Sequence, residues 1–235
     1  MSFGCIMTRD MINKGKVVAF VDNVLVGMEI EEEYNEIVEE VLRWLKENNL
    51  YIKLEKCVWK VQKIRFLEVV IEPNGIGIEK EKVNGVLSWP EPKNVKDVRK
   101  FLGLANYYQR FIKDFAWVAR PMNILTRKDM KWQWGKEQQK AFDELKGIFI
   151  TRPVLAALDL DKELRVEADA SNYATREVLS IKCSDELLKP VAFISKSLSD
   201  IERNYEIHNK EILVVVRCLE AWRHFLKEIT IKFEI

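Results

Sequence analysis

The chain has 235 residues, 48% hydrophobic and 10% aromatic, which is the composition of a folded protein with one large or two small domains. Its 38 basic and 37 acidic side chains nearly cancel, so net charge gives no evidence for a nucleic-acid partner, and any basic surface must come from local clustering. The cysteines are scattered without a CxxC pair and there are only two histidines, which argues against a zinc site. The sequence shows no signal peptide and no apolar run of membrane-spanning length. We therefore expect no membrane partner and predict an intracellular protein, cytoplasmic or nuclear, with reduced thiols.

The first predicted element is a β-hairpin. Two runs rich in β-branched residues, 17–21 and 24–28, flank the dipeptide Asp22-Asn23, and Asp and Asn tolerate the conformations that a two-residue turn needs. A carboxylate at the tip of such a hairpin is held rigidly, which suits a metal ligand. A turn is also the ordinary place for Asp and Asn, so both interpretations stay open at this point.

A helix and a pair of strands are predicted next. Apolar residues recur at helical spacing over residues 30–45, with acidic residues on the remaining face, and the helix is expected to stop at the asparagine pair that follows. Strands at residues 61–71 and 77–78 are joined by the turn-forming sequence Pro-Asn-Gly.

The proline-containing segment WPEPKN precedes a second helix with a recognisable start. Asn94 is the predicted N-cap, and Asp97 lies near the positive end of the helix dipole. Arg99, Gly103 and Tyr107 are spaced i, i+4 and i+8, so they share one stripe of the helix. Five further cations make this the most basic stretch of the chain: Lys93, Lys96, Lys100, Arg110 and Lys113.

The second half of the chain has the pattern of a separate unit. A helix is predicted over residues 136–148, and a strand, strand, strand, helix order follows it. The strands are LRVEADAS, EVLSIK and PVAFIS, the helix covers residues 206–226, and the last β-rich stretch is ITIKFEI. Strands followed by a covering helix indicate an α/β or α+β unit.

The hairpin string VVAFVDNVLVG resembles the YxDD hairpin of reverse transcriptases, especially those of gypsy-type long-terminal-repeat retroelements. The resemblance continues in the expected order through NLYIKLEKCVW, IRFLEVVI, VLSWPEPKNVKDVRKFLGLANYYQRFI, ARPMNILT, WQWGKEQQKAFDELK, RPVLA, VEADASNYA, PVAFISKSLSDIERNYEIHNKE and WRHFL. It implies an α+β fold with part of a polymerase palm at residues 1–72, a thumb-like helical segment at 73–130, a connection at 131–160, and a truncated ribonuclease H (RNase H)-like α/β domain at 161–235.

By this resemblance, phosphoryl transfer would use two Mg²⁺ ions held by clustered carboxylates. Asp22 occupies the first acidic position of the hairpin, whereas Asn23 replaces the second acid and removes its charge. The third carboxylate belongs to a strand that precedes the first residue of this chain. We therefore expect weak Mg²⁺ binding and little or no DNA synthesis. Lys56 matches a lysine that protonates the leaving pyrophosphate in this family, and it equally fits a solvated loop lysine.

The resemblance also implies contacts with a template–primer duplex. Phe66, Leu67 and Glu68 match a primer-grip hairpin in which Glu68 replaces the usual Gly, and a carboxylate there would repel a phosphate backbone. The helix stripe corresponds to the thumb helix that follows the minor groove, because Gly permits close approach while Arg and an aromatic ring contact the backbone and sugars. The nucleic-acid-binding residues implied are the three of this stripe, Arg99, Gly103 and Tyr107, together with the neighbouring Lys100. A purely structural helix with a solvated face is the alternative.

Asp169 and Glu211 match the first two carboxylates of an RNase H site that binds two Mg²⁺ ions and hydrolyses RNA in a hybrid. A strand Asp and a solvated helix Glu can also be purely structural. The remaining carboxylates of that family lie after the last residue of this chain. Arg176 stands where the family usually has Gly, and we expect strain there if that Gly serves a tight turn.

The implied ancestral activities are RNA-directed DNA polymerisation and cleavage of RNA in RNA–DNA hybrids, with an RNA template, a DNA primer and the hybrid as partners. We expect the chain as given to be catalytically silent or nearly so. Two alternatives are a non-catalytic nucleic-acid-binding module and an unstable relic. The sequence leaves open whether the two ends are natural, as well as the oligomeric state and the template preference.

Overall fold

The computed structural model describes residues 17–28, 30–151, 154–159, 162–183, 186–223 and 232–234, with only the backbone for the last three. The chain divides into two compact units, Met1–Val61 and Gln62–Ile235. In the described part of the chain, no helix combines the length and the apolar character that crossing a bilayer requires.

The first unit contains a hairpin and a helix. Strands β1 (Val17–Phe20) and β2 (Asn23–Val26) pair in antiparallel fashion, helix α1 spans Glu31–Glu47, and a short 3-10 turn spans Leu54–Lys56. The helix ends where the sequence predicted, and the backbone N–H of its C-cap, Asn48, bonds to carbonyls of the last turn.

The turn of this hairpin is Val21-Asp22, so the prediction of Asp22-Asn23 as the turn is wrong by one residue. Asn23 is already in β2, opposite Phe20. Burial sets this register, because four small apolar residues of the two strands pack together against α1, and a one-residue slip would turn one strand's set outward. Those residues are Val17, Ala19, Val24 and Val26. Val21 consequently takes a φ of 52°, which β-branched residues rarely adopt.

The second unit begins with a three-stranded antiparallel sheet. Its strands are β3 (Ile64–Phe66), β4 (Val69–Glu72) and β5 (Gly75–Ile78), paired in that order. The single strand predicted over residues 61–71 is therefore two strands. Leu67 and Glu68 form the turn with φ of 49° and 65°, a left-handed pair that suits two-residue hairpins but that neither residue type signals.

Five helices follow this sheet: α2 (Lys80–Leu87), α3 (Val95–Tyr107), α4 (Phe115–Val118), α5 (Arg120–Leu125) and α6 (Lys136–Thr151). The predicted cap is confirmed, since the Asn94 side chain accepts a hydrogen bond of 3.0 Å from the Asp97 backbone N–H. Helices α3 and α6 share one apolar core, in which the Phe101 and Phe142 rings lie 4.6 Å apart. Burying each such ring contributes about 1.5–3 kcal/mol.

A second, four-stranded sheet ends the chain. Strands β6 (Leu164–Ala170), β7 (Ala174–Lys182) and β8 (Leu188–Ser197) are antiparallel, and β9 (Lys232–Glu234) pairs parallel to β6, giving the order β8-β7-β6-β9. The short helix α7 (Asp200–Arg203) and the longer helix α8 (Ile207–Ala221) follow β8. The three strands and the long helix are thus where the sequence predicted them. The last part of the predicted helix range, residues 224–226, lies outside the described residues.

Helix α8 covers one face of this sheet. Its buried residues Val214, Cys218 and Trp222 pack against the alternating apolar residues of β6 and β7. The strand residues in this cluster are Leu164, Val166, Leu179 and Ile181. Period-two alternation therefore separates each strand into a face under α8 and an opposite face.

Two consecutive residues connect the two sheets of the second unit. Leu155 exchanges backbone hydrogen bonds of 2.7 and 2.8 Å with Ile76 in β5. Ala156, the next residue, donates a backbone hydrogen bond of 2.8 Å to the carbonyl oxygen of Pro190 in β8. The connecting segment is therefore bonded to both sheets rather than free between them.

Candidate functional site

The β1–β2 hairpin places one acidic side chain at its tip. Asp22 is exposed in the turn, and Asn23, also exposed, is the first residue of β2. Lys56 is exposed on its 3-10 turn, and its ammonium makes no hydrogen bond or ion pair with any residue that the structure describes. The hairpin thus brings Asp22 next to an amide rather than to a second carboxylate.

The described residues do not fit a pair of magnesium ions. Across residues 17–223, leaving aside the gaps between the described ranges, no three His, Cys, Asp or Glu side chains lie close enough to hold a metal ion. Two-metal phosphoryl transfer needs clustered carboxylates. No catalytic step is therefore assigned to Mg²⁺ from these residues alone.

The turn between β3 and β4 is held by two tyrosines at the end of α3. The Tyr107 hydroxyl donates to the Leu67 carbonyl oxygen at 3.1 Å, and the Tyr108 hydroxyl donates to the Glu68 carbonyl oxygen at 3.4 Å. Burial raises the pKa of Tyr108 to about 12, so this donor keeps its proton. The Glu68 carboxylate forms an ion pair with Lys82, and the hydrogen bond raises the pKa of that lysine. Its charge is therefore balanced locally.

One face of α3 is open to solvent. Arg99, Lys100 and Gly103 are exposed, and Tyr107 is 55% exposed. A Cβ built on Gly103 would meet nothing within 4 Å, so a ligand could reach the helix backbone there. Arg99 donates a 2.9 Å hydrogen bond to the carbonyl oxygen of Thr126, the C-cap of α5, so part of its hydrogen-bonding capacity is already used. The four residues share one face, and their contact with nucleic acid remains a prediction.

In the second sheet, Asp169 is bound to Arg176. The two residues are direct cross-strand partners on β6 and β7, and an Arg176 terminal nitrogen lies 2.6 Å from an Asp169 carboxylate oxygen. Arg176 also reaches Asp114, before α4, with its Nε 3.2 Å from that carboxylate. The Asp169 hydrogen bond is the main cause that raises the pKa of Arg176. One guanidinium thus bridges two carboxylates from distant parts of the chain.

The strain expected at Arg176 is absent, and that expectation is wrong. Arg176 lies within β7, between Asp169 on one neighbouring strand and Ser195 on the other, and its φ is not positive. The turn between β6 and β7 falls earlier, where the Ser171 hydroxyl bonds to the Ala174 carbonyl oxygen at 2.7 Å. No tight turn constrains position 176.

Glu211 lies in the first turns of α8, with a carboxylate oxygen 3.9 Å from Nδ1 of His208. Helix α8 covers the sheet face that carries Ala168 and Ala170, and strand alternation directs Asp169 to the other face. The structure records no contact between the Asp169 and Glu211 carboxylates among the residues it describes. Their shared role in metal binding stays a prediction.

Sequence reasoning missed a buried acid, Glu177. This residue is fully buried on the face of β7 beneath α8, and neither of its oxygens accepts a hydrogen bond of ordinary geometry within the described part of the chain. Burial raises the pKa of Glu177 to about 7, against smaller opposing effects of Thr175 and Arg217. The sequence contains a signal for this burial: Glu177, Leu179 and Ile181 are spaced two apart, so in a strand the carboxylate shares one face with two apolar residues.

Two protein families match this chain. Residues 6–105 match the family described as reverse transcriptase (RNA-dependent DNA polymerase), and residues 134–235 match the RNase H-like domain found in reverse transcriptase. Both assignments agree with the order of motifs in the sequence. The resemblance predicted from those motifs is thereby confirmed.

Two similar proteins come from Schizosaccharomyces pombe. The transposon Tf2-7 polyprotein is 34% identical over 224 residues, and the transposon Tf2-3 polyprotein is 35% identical over 219 residues. These alignments cover 95% and 93% of this chain but only 17% and 16% of the two polyproteins. The chain thus spans about one sixth of the length of these relatives.

Solved structures with the same fold include two of the foamy viral protease-reverse transcriptase. The complex with an RNA/DNA hybrid gives a TM-score of 0.78 at 20% identity, covering 95% of this chain and 31% of that one. The dRH form in complex with double-stranded DNA gives a TM-score of 0.77 at 21% identity, covering 95% of this chain and 40% of that one. This chain therefore belongs to the reverse transcriptases of retrotransposon polyproteins, and it contains a polymerase segment followed by an RNase H-like domain.

Proposed function

We propose that this chain binds a template–primer duplex or RNA–DNA hybrid through the open face of α3. Neither Asp22 in the hairpin nor the pair Asp169 and Glu211 in the RNase H-like domain carries out catalysis in this proposal. The observation that carries the proposal is the accessible backbone at Gly103, flanked by exposed cations and an exposed tyrosine ring. A helix with this surface can approach a phosphate backbone closely and neutralise it.

The β3–β4 hairpin, which is bonded to the end of α3, supports the same function. The hydroxyl of Tyr107 fixes the Leu67 carbonyl, so the β3–β4 turn and the helix face form one rigid surface. Pairing of Glu68 with Lys82 lowers the repulsion toward phosphates that the sequence predicted for this carboxylate. The primer-grip role of Phe66, Leu67 and Glu68 is part of the proposal.

Catalytic silence is inferred from two particular substitutions. Asn23 removes a negative charge beside Asp22, and Arg176 supplies a positive charge to Asp169. Each change lowers the attraction for Mg²⁺, because affinity for a hard cation depends on the number of free carboxylates. Polymerase and hybrid-cleavage roles for Asp22, Lys56, Asp169 and Glu211 are therefore assigned to the family's ancestry. The intracellular location stays a prediction.

The similar foamy viral structures contain double-stranded DNA in one case and an RNA/DNA hybrid in the other. Those ligands belong to those proteins, and they support the class of ligand proposed here. The large buried core of the second unit favours a folded protein over an unstable relic. A cooperative thermal transition would support this preference, and its absence would contradict it.

The binding experiment uses Gly103→Ala in the whole chain. Ala should raise helix stability by about 0.5–1 kcal/mol because Gly is the poorer helix former. It should at the same time weaken binding to a fluorescently labelled RNA–DNA hybrid, because the added methyl group separates the backbone from the duplex. Thermal melting and fluorescence anisotropy measure the two effects, which are expected to have opposite signs.

Lys100→Ala provides the charge test, with Lys140→Ala on the exposed surface of α6 as its matched control. Loss of one phosphate contact should reduce the slope of log affinity against log salt by about 1 for Lys100→Ala only. Unchanged hybrid affinity in both Gly103→Ala and Lys100→Ala would contradict the proposed function.

A further inference from the structure

A second candidate binding place is a cavity of about 310 Å³ in the second unit. Its walls come from the α4–α5 segment, the β6–β7 turn and the end of α7. The lining residues are Trp117, Arg120, Ser171, Asn172, Tyr173 and Arg203. They include two arginines and two aromatic residues, but no carboxylate.

Both arginines lie against the same ring. The guanidinium carbon of Arg120 is 4.3 Å from the Tyr173 centroid, and that of Arg203 is 5.2 Å from it. Arg120 is also 5.5 Å from the centroid of Trp117. Aromatic rings attract such cations, but two guanidiniums around one ring repel each other, and an anion bound between them would relieve this repulsion.

The charge in the cavity is only partly balanced. Arg203 forms a 3.0 Å ion pair with Asp200, whereas Arg120 has no hydrogen bond or ion pair to any residue within the described ranges. The Arg203 Nε is buried and lacks a hydrogen-bond partner within those ranges. The guanidinium N–H groups of Arg120, together with those of Arg203 that Asp200 leaves unused, are suited to a phosphate.

The aromatic residues are held in place. Tyr173 is buried, its hydroxyl accepts a 3.4 Å hydrogen bond from Ser197, and its carbonyl oxygen accepts one of 2.7 Å from the Leu198 backbone. Trp117 packs edge-on against Tyr173 at 6.0 Å and is 53% exposed. About half of Trp117 is therefore open to solvent beside the cavity and accessible to a base.

We propose that this cavity binds one nucleotide of a single-stranded nucleic acid, with its phosphate on Arg120 and Arg203 and its base stacked on Trp117. The volume lies at the lower end of the range of about 300–1,000 Å³ found for small-molecule sites, so it admits one nucleotide unit but not a duplex. Stacking on an aromatic ring beside a cation is how many proteins bind single strands. This site is separate from the duplex face of α3 and does not depend on it.

The experiment measures binding of fluorescently labelled oligothymidylate to the whole chain at low salt. Arg120→Ala should weaken binding about tenfold, because it removes a charge-assisted contact with phosphate. Trp117→Ala should weaken it about fivefold or more through loss of stacking, whereas Trp117→Phe should retain most of the affinity. Arg223→Ala is the matched control, since this arginine is exposed and lies outside the cavity.

A strand with abasic sites separates stacking from charge. It should bind the unaltered chain more weakly than oligothymidylate does, and it should not distinguish Trp117→Ala from the unaltered chain. Because Trp117 is exposed, its variants test the proposal even if Arg120→Ala fails to fold. Oligothymidylate affinity that is unchanged in Trp117→Ala, or equal for the abasic strand, would overturn the proposal.

Gly103→Ala run in parallel distinguishes this site from the proposed duplex function. It should leave oligothymidylate binding unchanged while it weakens hybrid binding. Loss of both ligands in Gly103→Ala would mean that a single surface binds both, and would also overturn the separate cavity site.

Discussion

The two acidic positions proposed as remnants of the polymerase and RNase H sites differ in their surroundings. Asp22 is exposed at a hairpin tip without a partner among the described residues, and its neighbour Asn23 is an uncharged amide. Asp169 is instead paired with a cation, since Arg176 bonds to it at 2.6 Å. A metal site can thus be weakened by removing a ligand or by neutralising one.

The pairing of Asp169 also connects distant parts of the chain. Arg176 joins Asp169 to Asp114, which precedes α4, so the guanidinium links the RNase H-like sheet to the helical segment before it. Strand β7 also carries a buried charge, because Glu177 lies next to Arg176 on the opposite face, beneath α8.

The largest expected effect is at Glu177. Its carboxyl has a folded-state pKa of about 7, above the 4.5 of an exposed Glu, so the folded chain binds this proton more tightly than the unfolded chain. The contribution of Glu177 to stability should therefore be fully present below pH 4.5 and should be lost as the pH rises through 7. Glu177→Gln should remove this contribution to the pH dependence and gain about 3 kcal/mol relative to wild type between pH 4 and pH 8.

Denaturant unfolding at several pH values measures this effect. Glu167→Gln is the matched control, because Glu167 is exposed on the neighbouring strand β6. An equal pH dependence in wild type and Glu177→Gln would mean that the buried acid is not the cause.

The next largest effect is expected at the β1–β2 hairpin. Asn23→Asp should restore a second carboxylate beside Asp22 and raise the affinity for Mn²⁺ by about tenfold, or about 1.4 kcal/mol. Paramagnetic broadening of hairpin amide signals in NMR spectra reports this binding. The double variant Asp22→Asn, Asn23→Asp keeps the original number of charges, and it should not show the gain. A gain in both variants would show that charge count does not control binding there.

The smallest effect is expected for Arg176→Gln. The ion pairs that it removes are partly exposed, so stability should fall by at most about 1 kcal/mol. Release of Asp169 should nevertheless allow Mn²⁺ to broaden amide signals of β6 that are unaffected in wild type. Identical broadening before and after the substitution would show that Arg176 does not block this carboxylate.

Local signals in the sequence predicted most of the elements. The cap at Asn94 and the alternation in β6 depend on residues close together in the chain, and both are confirmed. The hairpin turn was misplaced because Asp22-Asn23 has the composition of a turn, whereas packing of Val17 and Val26 against α1 fixed the register.

The candidate sites were harder to predict because they join remote residues. Asp114 and Arg176 are 62 positions apart, and nothing in either neighbourhood indicates the other. The cavity likewise combines Arg120, Tyr173 and Arg203 from three segments. Resemblance to a family made Asp169 a candidate ligand, but it could not show that this residue is paired with an arginine of the same chain.

The bonds of Leu155 and Ala156 have a mechanical consequence. Consecutive Cα atoms are about 3.8 Å apart, so the β5 edge and the β8 edge are joined with no slack between them. A Cβ at Gly75 would collide with the Leu155 carbonyl oxygen, which shows how closely the backbone at Leu155 approaches β5. A force applied to the RNase H-like sheet would therefore be transmitted directly to the β3–β5 sheet, and the two sheets would be displaced together.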